Sequence, residues 1–80
     1  MKNEFYVIIN TIDRIKEFVK IVGKIECDID IIYGRYIIDA KSIMGIFSLD
    51  LSKELMLRIH STDERECDEI KAKLDSFLVR

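Results

Sequence analysis

Apolar residues recur along the chain with two different periods, and the change from one to the other marks out the elements. Residues 4–9, Glu4-Phe5-Tyr6-Val7-Ile8-Ile9, are aromatic and β-branched, which predicts a strand. Asn10 and Thr11 follow, both good N-cap types. Ile12, Ile15, Val19 and Val22 then recur at steps of three and four, with Phe18 widening the stripe and charged residues between. That spacing predicts an amphipathic helix stopped by a C′ glycine, Gly23. Residues 28–33 alternate over their first four positions, Gly34-Arg35 fits a two-residue type II′ turn, and residues 36–40 form the return strand. Ser42 opens a short apolar segment, residues 43–49. Residues 54–60 alternate again, with Leu55, Leu57 and Ile59 on one face and Glu54, Met56, Arg58 and His60 on the other. Ser61-Thr62-Asp63-Glu64 offers several N-caps, including a Ser61…Glu64 capping box, ahead of a closing helix whose buried stripe is Cys67, Ile70, Leu74, Phe77 and Leu78.

Most strands carry one apolar face. The expected fold is therefore α+β: an open-faced β-sandwich of the split-βαβ kind. A four-stranded antiparallel sheet is covered on one face by two long helices and one short helix. Eighty residues make one small domain, residues 1–80. Fifteen isoleucines supply the dense aliphatic core that so short a chain requires.

Charge and cysteine content narrow the function classes. The formal net charge is −2, from 13 Lys+Arg against 15 Asp+Glu, which argues against nucleic-acid binding. No apolar run approaches a membrane span and the first residues lack a signal-peptide plan, so a cytoplasmic location is expected. Two cysteines and one histidine offer neither a disulfide framework nor zinc-ligand spacing, and no cofactor is implied. Cys67 reads as a core thiol. Cys27, flanked by Glu26, Asp28 and Asp30, has acidic neighbours that would raise its pKa. His60 reads as a solvated imidazole, and Asp28 and Asp30 as the wet face of the sheet. No nucleotide-binding glycine loop or nucleophile–base pair is present, so the chain is not expected to be an enzyme.

One segment carries a functional signal. If residues 43–49 are helical, Ile43, Met44 and Phe47 lie close together around the axis while Ile46 and Leu49 lie on another side. Either Ile43, Met44 and Phe47 stand in solvent as a contiguous apolar patch suited to a partner, or the small domain folds over both sides. Ser42 falls at the helix N-cap. It either satisfies free backbone N–H groups or also accepts a phosphate, which the helix N-terminus favours.

The run Lys41-Ser42-Ile43-Met44-Gly45, followed by Ile46-Phe47-Ser48-Leu49, resembles the regulatory-serine segment of the HPr family, the phosphocarriers of the bacterial sugar phosphotransferase system. The element order along essentially the whole chain also matches. The resemblance implies an HPr-like fold and a Ser42 that is the target of an HPr kinase-type enzyme. It further implies a docking surface at Ile43, Met44 and Phe47 for a transcriptional regulator or a phosphotransferase-system component. The chain departs from the family where the carrier histidine should stand. That junction reads Ile9-Asn10-Thr11-Ile12-Asp13-Arg14, with Thr11 nearest the missing imidazole and Arg14 near the family's arginine. A threonine hydroxyl forms an inert phosphate ester and cannot relay a phosphoryl group. Asp50 also stands where the family commonly has glycine. The expectation is an HPr-like regulatory and interaction protein without phosphohistidine chemistry. A working phosphocarrier and an ACT-like ligand-binding domain are the alternatives, and the oligomeric state is left open.

Overall fold

The computed structural model describes residues 3–79. Its elements follow in the order β1 (Glu4–Val7), α1 (Ile12–Val22), β2 (Ile29–Tyr33), β3 (Tyr36–Asp39), α2 (Ile43–Phe47), β4 (Leu55–Ile59) and α3 (Glu64–Lys73). A 3-10 turn, Asp75–Phe77, follows α3, and Leu78 beyond it bridges to Val7 of β1. The four strands form one antiparallel sheet in the order β1-β4-β2-β3.

Alternation decides which face of the sheet is dry. Phe5, Val7, Ile29, Ile31, Leu55, Leu57 and Ile59 are buried, whereas their neighbours Tyr6, Asp30, Met56 and Arg58 are not. The helices lie on the dry face. Helix α1 places Ile15, Phe18 and Val22 in the core, and α3 places Cys67 and Ile70 there. Phe18 meets Phe77 edge to face, with ring centroids 5.5 Å apart, which locks α1 to the C-terminal turn. The open-faced α+β architecture expected from the periodicities is the one observed.

Local signals explain most boundaries, and some details depart from the pattern's expectation. Gly34 has φ +59° and Arg35 stays outside the left-handed region, as a type II′ turn requires. Gly23, by contrast, has φ −63° and caps α1 in a right-handed conformation, so it is not a left-handed C′ glycine. The first strand stops at Val7, because the backbone turns at Asn10 (φ +54°), a residue type that tolerates that region. Ile12 is exposed rather than part of the stripe, since it occupies the first helical position, ahead of the turn that packs on the sheet. The N-cap of α3 is Asp63, whose carboxylate accepts from the backbone N–H of Arg65 and Glu66. Ser61 instead accepts from Asp63 N at 3.1 Å, one step upstream.

Candidate functional site

Helix α2 is five residues long, too short to hold itself in water. Three tertiary features hold it. Ser42 Oγ accepts from Gly45 N at 3.2 Å and caps the first turn. Ile46 is fully buried, contributing roughly 2 kcal/mol of apolar transfer. Gly45 lets the helix lie directly on β3: a β-carbon there would sit 2.6 Å from Ile38 Cγ2. Upstream, the Asp39 carboxylate accepts from Lys41 N at 2.9 Å, and the Lys41 ammonium donates to the Ile25 carbonyl at 2.6 Å. The residue ahead of Ser42 is thus tied to the segment that follows α1.

With Ile46 facing in, the other apolar side chains of α2 face out. Met44 is 77% exposed, Phe47 45% and Ile43 36%. The domain does not fold over them. Ser42 is half-buried at the head of this patch. Helices α1 and α2 pack against each other, and exposed Ile12 lies in the first turn of α1. Helical spacing marked Ile43, Met44 and Phe47, but it misplaced Ile12 in the core.

The start of α1 is built as a cap. Thr11 Oγ1 accepts from Arg14 N at 3.2 Å. The Arg14 guanidinium donates to the Ser76 carbonyl at 2.7 Å, approaches Glu17 at 3.4 Å, and lies 4.0 Å over the Phe77 ring. Its contacts run toward the C-terminal turn. No imidazole stands near this junction, because the chain's single histidine is His60.

His60 follows β4 on the open face, with Nε2 2.6 Å from an Asp30 carboxylate oxygen. Asp28 and Asp39 line the same shallow depression. Among the described residues no group of His, Cys, Asp and Glu is arranged to hold a metal ion. Burial pushes both thiols above their ordinary pKa, Cys67 and Cys27 alike. Glu66 of α3 adds to the rise at Cys27, where the sequence pointed to Glu26, Asp28 and Asp30. Asp50, at the end of the segment after α2, accepts from Ser52 Oγ at 2.6 Å and Ser52 N at 3.1 Å. These bonds hold its carboxyl below the usual aspartate range, and they close that turn without a left-handed residue. No described helix is long and apolar enough to cross a membrane.

Against known proteins, residues 14–78 match the family described as the PTS HPr component phosphorylation site. The matched stretch includes Ser42 and all of α2 and starts three residues past Thr11. The fold is similar to the crystal structure of HPr-C-His from Thermoanaerobacter tengcongensis, with 27% sequence identity and a TM-score of 0.70. That likeness covers 89% of this chain and 88% of the other. No curated protein matches the chain.

Proposed function

The chain belongs to the HPr family of the phosphotransferase system, and from that membership we propose that it is a regulatory, interaction member without a phosphohistidine. Phosphorylation of Ser42 would switch it, and α2 would dock its protein partners. The observation that carries this reading is the juxtaposition of a capping serine with an exposed apolar patch of Ile43, Met44 and Phe47. A phosphate on Ser42 adds nearly two negative charges beside that patch. It therefore selects between an apolar partner surface and one that also carries arginine or lysine. The family's known partners are the components of the phosphotransferase system, so the partner class is protein.

Support for the loss of carrier chemistry comes from the start of α1. Thr11 is occupied as a cap, and the Arg14 guanidinium is engaged by Ser76 and Phe77. Family membership itself favours a second reading, a working carrier that uses the one histidine present. His60, however, is bonded to a carboxylate, with Asp28 and Asp39 beside it, and that surface repels a phosphoryl donor. The ACT-like reading has no comparable support.

Two treatments separate these readings. HPr kinase with ATP should place phosphate on Ser42 of the wild type and none on Ser42→Ala, read by peptide mass spectrometry. Phosphoenolpyruvate with Enzyme I should give no acid-labile phosphate. An acid-labile phosphate on His60 would establish the carrier reading, and an unmodified Ser42 would remove the switch.

A further inference from the structure

The face of the sheet turned away from the helices is not the polar surface that an uncovered antiparallel sheet normally presents. The strand registers align Tyr6 with Met56, Met56 with Ile32, and Ile32 with Ile37. These four residues form one apolar row across all four strands. Its ends are open to solvent, Tyr6 at 53% and Ile37 at 66% exposure. Charged residues flank the row. On one side the registers align Glu4, Arg58, Asp30 and Asp39. On the other, the exposed Glu54 just ahead of β4 and the exposed Arg35 of the β2–β3 turn lie two residues before Met56 and Ile37, with the uncharged Ile8 and Gly34 in the matching places beside β1 and β2.

We propose that this face is a homodimer interface, in which two copies stack sheet on sheet about a twofold axis running along the apolar row. The charges select both the occupant and the axis. A rotation about the row lays each strand over its own counterpart with direction reversed. Arg58, already paired with Glu4 of its own copy at 2.7 Å, then faces Glu54 of the second copy, Asp39 faces Arg35 of the second copy, and the twofold repeats both pairs. A rotation about the strand direction instead sets Glu4 over the second copy's Asp39, a repulsive contact made twice, which cancels the attraction of Arg58 to the second copy's Asp30, also made twice. The row meets itself in the favoured arrangement, so self-complementarity follows from one stripe, as an isologous contact requires. Four strands about 4.8 Å apart and five residues at about 3.4 Å give a face near 19 by 17 Å, roughly 300 Å² per copy, smaller than the interface of a stable dimer. The dimer is accordingly weak and concentration-dependent, and it leaves α2 free on the opposite side of the sheet.

Sedimentation velocity on the full chain, from micromolar to millimolar concentration, tests this. The expected result is a monomer–dimer equilibrium that weakens as salt is raised, because the flanking pairs are exposed. Ile37→Lys should weaken dimerisation by roughly tenfold or more, with an unchanged melting midpoint at low concentration, where the chain is monomeric and the side chain exposed. Glu54→Arg should weaken it too, by placing like charge over Arg58. A chain monomeric throughout overturns the proposal. So does a dimer that ignores Ile37→Lys or Glu54→Arg but is lost on Met44→Asp, which would place the contact on α2.

Discussion

A β-carbon added at Gly45 would lie 2.6 Å from Ile38 Cγ2, so the approach of α2 to β3 is set by the absence of a side chain at one position. Alanine is the better helix former by about 1 kcal/mol. Overpacking against a β-branched neighbour costs about 1–3 kcal/mol, and Ile38 Cγ2 cannot move without rotating χ1. The clash therefore wins. Gly45→Ala should destabilise the protein by about 1 kcal/mol in urea unfolding. In the Ile38→Ala background the same change should become neutral or stabilising. An additive cycle would show that the two positions do not meet.

Ser42 carries a structural role that can be measured apart from any phosphate. Its Oγ accepts from Gly45 N, and Ile46 N donates to the Ser42 carbonyl at 3.1 Å, so the cap defines the only full turn of α2. Ser42→Ala should cost about 1 kcal/mol, whereas Ser42→Asp, also a good cap, should stay within a few tenths. Hydrogen exchange at Gly45 and Ile46 should speed up in the first variant and not in the second. Equal losses in both would mean that the hydroxyl does not cap.

The same helix shows what the sequence disclosed and what it withheld. The place of Ser42 at the cap and the separation of Ile46 from Ile43, Met44 and Phe47 around the axis follow from period, whereas which group is buried, and that the domain leaves the other uncovered, is settled by the packing of α2 on the sheet. The contact between Gly45 and Ile38 was hidden, since it depends on how closely two elements approach. Ile12 was misread for a related reason: it shares the stripe's period but precedes the turn that reaches the sheet. Of the several N-caps that residues 61–64 offer α3, Asp63 is the one used, because oxygen-bearing side chains compete there and only the path of the chain chooses among them. At the start of α1, the missing histidine was plain from the sequence. The engagement of Arg14 by a carbonyl and a ring far along the chain was not.

Arg14 fastens α1 to the C-terminal turn through a planar group that donates to the Ser76 carbonyl while lying over Phe77. Lysine cannot do both. Arg14→Ala should lower stability by about 1–2 kcal/mol, the sum of a charged hydrogen bond and a partly exposed cation–π contact. Arg14→Lys should recover less than half of that. Exchange at the Phe77 and Leu78 amides, whose bonds close this turn, should rise in both. If unfolding midpoints are unchanged in Arg14→Ala, the guanidinium is free, and the case against an anion-binding α1 start weakens with it.

The two thiols give a pH dependence whose sign is fixed. Burial, aided by Glu66, raises both thiols above the ordinary cysteine pKa in the folded state. Unfolded, a cysteine ionises near pH 8.5. Below that pH both states hold the thiol protons and stability is unaffected. As pH rises through the unfolded value toward the folded one, the unfolded chain releases protons first and stability falls. The melting midpoint should therefore drop more steeply above about pH 8.5 in the wild type than in a Cys27→Ser/Cys67→Ala variant. At neutral pH, Cys67 should react with a disulfide reagent far more slowly than a free thiol, at a rate that follows unfolding. Parallel alkaline slopes in the two proteins, together with rapid labelling of Cys67, would mean that its thiol is open to solvent and that α3 does not seal the core at that point.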